Sequence, residues 1–163
     1  MSENRAEKII SDYGFHNRII HFYADDLTHE ETVWQLPFEH NCFNWILGHI
    51  VANRSHALEA LAGAHDWQDE VRALYHDGTP PIKPASPAVP LPQLLTWLDD
   101  SVALMGAALA DKAAGWLDGA HNNYRGEKSR YEHVTGFHWH EGFHLGQLEM
   151  VKAFIGSRRQ AGA

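Results

Sequence analysis

Apolar residues recur along this chain at the spacing of α-helices, and no run alternates as a strand does. Ile9, Tyr13, His16, Ile20 and Tyr23 mark one face of a first helix, predicted from about Glu3 to about Asp26. Thr28, with Glu31 three residues on, forms a capping box that opens a short helical turn, and Pro37 stops it. A second long helix is predicted from Asn41, as N-cap, to Leu61, with Gly63 at the C′ position. From Ala64 to Pro90 the pattern changes. Pro80, Pro81, Pro84, Pro87 and Pro90 make its second half an extended connection, long enough to cross the fold or cover a site. A third helix runs from Pro92 to Lys112 on Leu94, Leu95, Leu98, Val102, Met105 and Leu109. Gly115 to Gly126 is a loop. The fourth helix starts at Ser129, which is paired with Glu132 in a second capping box. It runs to Ile155, with Gly156 as its C′ residue and a frayed, disordered tail over 157–163.

Four long helices with one long crossover predict an all-α four-helix bundle in a single domain spanning 1–163. The 163 residues suffice for one buried core, and 44% apolar with 21% charged residues is the balance of a folded chain. A net charge of −8, with no basic stripe, argues against nucleic-acid binding. Cys42 is the sole cysteine, so an intramolecular disulfide is excluded. It reads as a small buried residue more readily than as a nucleophile. The N-terminal residues do not read as a signal peptide, and every apolar stretch is interrupted well short of the roughly 18 residues of a membrane span. A cytoplasmic location is therefore expected.

The 13 histidines change the picture. At about 100° per residue, Phe137, His140, His144, Leu148, Val151 and Ile155 fall on one narrow stripe of the fourth helix. That stripe must face the core, so His140 and His144 point inward together, one turn apart. Each imidazole has two nitrogens to satisfy, and separate partners for two stacked rings are harder to find than a shared metal ion. His49 and Asn53 lie near the edge of the buried face of the second helix. Alone, His49 reads as a half-exposed helix residue; opposite a histidine pair it is the third ligand. Three protein ligands leave a position open, which is the catalytic pattern.

His140-Glu141-Gly142-Phe143-His144 also matches the H-E-x-x-H signature of zinc proteases. Gln147 and Met150 break the extended form of that motif, and no strand is present to hold a peptide. A di-iron centre would need two Glu-x-x-His motifs, and one is present. Glu141, at the edge of the stripe, is a general base, a partner for a ligand histidine, or a surface residue. His133, on the same stripe two turns earlier, either orients or protonates a substrate or is an exposed residue of the first turn. Trp45 and Trp139 read as packing or interface residues. Asn53 fits a substrate contact or a helix–helix hydrogen bond equally well. Gly142, unusual inside a helix, suggests close approach of a neighbour.

Asn44-Trp45-Ile46-Leu47-Gly48-His49-Ile50 resembles the second-helix motif of the DinB-like superfamily of metal-binding bundles, and His140 to Leu148 resembles its last-helix motif. The lead-in from Leu27 to Pro37 is similar as well. The resemblance covers about residues 5–156. It implies an up-down-down-up bundle, with His49, His140 and His144 as ligands of one divalent metal ion, commonly zinc or nickel. It also implies a homodimer and, in some members, transfer of a low-molecular-weight thiol (bacillithiol, mycothiol or glutathione) to an electrophile. The expected function is that of a metal-dependent thiol transferase, with Glu141 and His133 as its candidate catalytic residues. A metal-dependent hydrolase and a non-enzymatic metal- or small-molecule-binding stress protein are the alternatives.

Overall fold

A computed structural model describes residues 4–63, 65–113 and 115–162. Glu3, Ala64 and Ala163, where expected boundaries fall, lie outside the described residues. The structure is mostly helical. Helices α1 (Arg5–Ala24), α3 (Phe43–Ala60), α5 (Leu91–Leu109) and α6 (Arg130–Gln160) are long; α2 (His29–Thr32) and α4 (Gln68–Tyr75) are short. α1 packs on α5 and α6, and α3 packs on the same two, so the four long helices surround a common core. Among the described residues no helix is long and apolar enough to cross a membrane.

Both capping boxes form as the sequence requires. Thr28 and Ser129 accept from the backbone of Glu31 and Glu132, whose side chains return to the cap backbone. α3 starts one residue later than expected. Cys42 is its N-cap and makes no side-chain cap bond, while the Asn41 carbonyl lies 3.1 Å from His40 Nδ1. At the other end of α3 the left-handed residue is Ala62, at φ 55°, and not Gly63. Gly63 N–H reaches back to the Leu58 carbonyl at 2.8 Å, and Ala62 N–H to Glu59 at 3.0 Å, which is a Schellman closure.

Four further features depart from the sequence reading. The connection between α3 and α5 contains α4, which packs on α3 and buries Val71 and Tyr75, while Trp67, its N-cap, stacks on Trp97 of α5. The loop before α6 contains a hairpin of β1 (Ala120–Asn123) and β2 (Gly126–Ser129), paired antiparallel with Ala120 opposite Ser129. α6 does not end at Gly156. It continues to Gln160, because Arg159 bridges to Glu31 at 2.5 Å and to Asp26 at 2.5 Å, and Lys152 also pairs with Asp26. α3 shows no edge at all: every residue from Phe43 to Leu58 is buried, because α4 covers the side that the other long helices leave open.

That cover demands Gly48. A Cβ there would stand 2.4–2.6 Å from the ring of Tyr75. The ring is fully buried, and its hydroxyl donates to Asn44 and accepts from the Val89 N–H, both at 2.8 Å, so it cannot step aside. On the opposite side of α3 lies Arg54, a fully buried guanidinium. It donates to Asn17 and, at longer range, to the Tyr13 carbonyl of α1, and to Leu98 O and Ser101 of α5 at 3.0 Å. It also grips both oxygens of Glu141 on α6, at 2.6 and 2.9 Å. Burial alone would raise the Glu141 pKa. The Arg54 charge and hydrogen bonds from His16 and Arg54 outweigh it and hold the carboxyl at about 2, against an ordinary 4.5.

Two outcomes follow from these contacts. Gly48→Ala should cost about 1–3 kcal/mol by overpacking, read as a lower urea midpoint at unchanged slope. Glu141→Gln should cost about 3–5 kcal/mol at neutral pH, because it leaves Arg54 buried without its counter-charge. A carboxyl with a lowered folded pKa stabilises above 4.5 and loses that contribution as pH falls toward about 2. The stability gap between wild type and Glu141→Gln should therefore shrink across that window; a gap that stays constant would show that the charge of Glu141 is not what matters.

Candidate metal centre

α3 supplies His49 and α6 supplies His140 and His144 to one point between the two helices. Phe137, His144, Leu148, Val151 and Ile155 are buried and His140 is half-buried, so the α6 stripe faces inward as its period requires. Nε2 of His140 lies 3.0 Å from Nε2 of His144 and 3.3 Å from Nε2 of His49, and the three ligand atoms all fall within 4.8 Å of one another. Two nitrogens bound tetrahedrally to one ion at about 2.05 Å stand about 3.3 Å apart. The observed spacings match that edge.

Hydrogen bonds decide which nitrogens face inward. Nδ1 of His49 donates to the Tyr75 carbonyl at 2.8 Å, and a carbonyl can only accept, so Nε2 carries the lone pair. Asn53 Nδ2, donating to that Nε2 at 2.9 Å, agrees. Nδ1 of His144 donates to Gln147 Oε1 at 2.6 Å, with the same consequence. The His49 and His144 lone pairs both stand within 3.3 Å of His140 Nε2, an arrangement that a proton on that nitrogen or a cation between the three rings satisfies. Burial, the largest effect on all three rings, lowers their pKa values and disfavours the charged, doubly protonated form. The residues therefore fit a divalent ion: three neutral imidazoles, two of them with the outer partners that orient metal-binding histidines. The cluster opens on a cavity of about 560 Å³ bordered by Gln35, His40, Trp45, Asp77 and Lys83. Trp45 forms one wall, its ring stacked on His49 at 4.9 Å and 10°.

The other residues that the sequence suggested lie elsewhere. Glu141 faces away from the converging nitrogens, with its oxygens on Arg54 and, at 3.2 Å, on His16 Nδ1. The H-E-x-x-H match thus lacks the inward glutamate that a zinc protease uses as base. His133 is buried under the hairpin: its Nε2 donates to the His121 carbonyl at 2.9 Å, and its Nδ1 is 3.2 Å from Asn123 Nδ2. Cys42 is buried, with its thiol on the Ile82 carbonyl and its pKa raised by that burial. Asn53 joins the site by its contact with His49, and Tyr124 of the hairpin reaches its Oδ1 at 3.4 Å. Trp139 is exposed. A Cβ on Gly142 would meet only His16, at an ordinary 3.9 Å, so the described packing gives no reason for glycine there.

Sequence reasoning missed Tyr75, Gln147 and Asp77. Gln147 was within reach, since it sits three residues after His144 on the same helix face. Tyr75 and Asp77 belong to a short helix and turn that are distant in sequence from the ligands they touch.

No curated protein matches the chain. A family model described as the DinB superfamily matches residues 16–148, a span that includes all three histidines and the helices that carry them. The chain belongs to the DinB superfamily.

Proposed function

We propose that this protein holds one divalent metal ion, zinc or nickel, on His49, His140 and His144, and uses it to transfer a low-molecular-weight thiol to an electrophile. The observation that carries this reading is the convergence of the Nε2 atoms of three histidines at the mouth of a cavity large enough for a small molecule. On this reading the four long helices follow the up-down-down-up order of the family's bundles. A metal in this position supplies Lewis acidity, which lowers the pKa of a thiol that reaches it.

The chain's own groups do the rest. Tyr75 O and Gln147 fix the tautomers and angles of His49 and His144. Trp45 shields one side of the site from water. Lys83 and His40, on the cavity wall, offer positive charge and hydrogen bonds to a polar substrate. Glu141 serves the reaction as a positioning residue, because its grip on Arg54 sets the rotation of α6. His133 acts through the hairpin it anchors. Hydrolysis at the same metal is the second reading. No observation favours it over transfer, and the same assays separate the two.

The homodimer of this reading uses the outer faces of α1 and α6, which leave Phe15, Phe22, Trp139, Phe143 and Met150 exposed. Apolar residues repeating on the outside of two adjacent helices suit a self-complementary contact between two copies. Replacing Trp139 and Phe143 by glutamate together should convert a dimer to a monomer in light scattering; a wild-type protein that runs as a monomer refutes this interface.

Purified, tag-free protein should carry about one equivalent of a transition metal by mass spectrometry, by analogy with other three-histidine sites. A His140→Ala/His144→Ala variant should fold and carry none. The loaded protein should form conjugates from a cellular thiol and a model electrophile, and the variant should not. Cleavage of an ester or amide with no conjugate from any thiol would favour the hydrolase. Metal-free wild type, even after reconstitution, would overturn every catalytic statement above.

A further inference from the structure

Asp77 lies in the turn that follows α4. Its Oδ1 stands 3.6 Å from His49 Nε2, the nitrogen that faces the cluster, and its carboxylate borders the same cavity. Glu141, the carboxylate within the histidine motif, is committed to Arg54 and His16 on the far side of α6. Among the described residues, Asp77 is the acid that an ion-pair distance joins to the converging nitrogens.

The turn is held in place. The Thr79 N–H donates to the His76 carbonyl at 3.0 Å and its hydroxyl to Leu74 O at 2.9 Å, while Trp45 Nε1 donates to that hydroxyl at 3.2 Å. Gly78 sits at φ +85°, a conformation that side chains oppose, so the chain can reverse there. The segment 75–79 therefore meets His49 twice directly and once through Trp45. Tyr75 O takes its Nδ1 proton, Thr79 anchors the tryptophan stacked on its ring, and Asp77 approaches its Nε2.

We propose that Asp77 is a displaceable oxygen ligand of the same metal ion, joining the three histidines at rest and yielding its position to an incoming thiol. The proposal rests on the metal reading above. Nitrogen and oxygen donors bound tetrahedrally at about 2.0–2.2 Å stand about 3.4 Å apart, and His49 Nε2 and Asp77 Oδ1 are separated by 3.6 Å. The side chain of Asp77 is 62% exposed against 3% for His49. The converging group consists of the three histidines alone, so the exposed carboxylate stands at its edge, beside His49, and has to turn inward to reach an ion held by all three. A carboxylate beside three neutral imidazoles lowers the net charge of a dication site from about +2 to about +1.

Asp77→Asn and Asp77→Ala should be prepared metal-free and titrated with zinc against a chelating dye, and with cobalt while the visible bands are followed. Zinc Kd should rise about tenfold or more in Asp77→Ala, and the cobalt bands should change position and intensity. Unchanged Kd and bands in both variants overturn the proposal and leave the histidine site intact. A raised Kd with unchanged cobalt bands also overturns it, because the carboxylate then acts by charge alone. A wild-type protein that binds neither ion overturns the proposal and the metal reading together. Equal melting temperatures of the metal-free proteins confirm that the variants fold, as expected for an exposed turn residue.

Discussion

The buried guanidinium of Arg54 is the contact on which the rest of this structure depends. One side chain on α3 bonds to α1, α5 and α6, and packs 5.1 Å from the Tyr13 ring. A fully buried charge is costly to desolvate, and a buried ion pair is weak evidence of added stability. What such a pair does impose is uniqueness. If α6 rotates or slides, Glu141 leaves Arg54 and both charges remain unpaired in the core. Leucines and valines could repack around a shifted helix at modest cost; this pair cannot.

The histidine cluster inherits its geometry from that constraint. Glu141 is flanked by His140 and lies three residues from His144, so fixing its rotation about the α6 axis fixes theirs. Arg54 lies five residues from His49 on α3, nearly on the opposite side of that helix. α3 thus has two polar sides within an otherwise apolar, wholly buried surface. One side locks the long helices together, and the other turns His49 toward α6, where α4 meets it with the Tyr75 carbonyl. Gly48, next to His49, is the gap that lets α4 come close enough to do so. Orientation of the site therefore comes from contacts that are themselves buried and satisfied, as a preorganised constellation requires.

How much of this was legible in the sequence depended on whether a signal was local. The α6 stripe was readable because its helix has one wet and one dry side, and His140 and His144 fell on the dry one. The two capping boxes were readable because three residues contain the whole motif. α3 was legible as a helix but not in its orientation: with α4 over the side left open by the other long helices, periodicity has no exposed face to report. α4 was overlooked because the prolines that follow it, from Pro80 on, marked the whole connection as irregular, although Trp67, Val71 and Tyr75 recur at four-residue spacing. The hairpin is built on Ala120-His121-Asn122-Asn123, residues with little strand preference, and forms against α6 through tertiary contact. Gly156 was read as a stop because glycine commonly ends a helix. Arg159, held by Asp26 and Glu31 across more than a hundred residues, overrides it. Glu141 stayed open among three readings because its partner, Arg54, lies 87 residues away in sequence. Each made sense only once the other was placed beside it.

The same contrast separates the two halves of the site. The imidazoles sit on long helices, and two of them are fixed at their outer nitrogens by a backbone carbonyl and a helix-borne amide. Trp45 of α3 and Gln147 of α6 also border the cavity, but the rest of its rim, including Asp77, Lys83, His40 and Phe38, comes from the connection after α4 and the segment before α3. Rigid helices suit groups that must converge on one atom to within a few tenths of an ångström. Loops suit groups that meet a ligand of variable shape. A fold that keeps its histidines on α3 and α6 can therefore vary its connections without losing the cluster. On the proposed function, ligand specificity is therefore set in the residues between Phe38 and Asn41 and between Asp77 and Lys83, not in the motif that made the site recognisable.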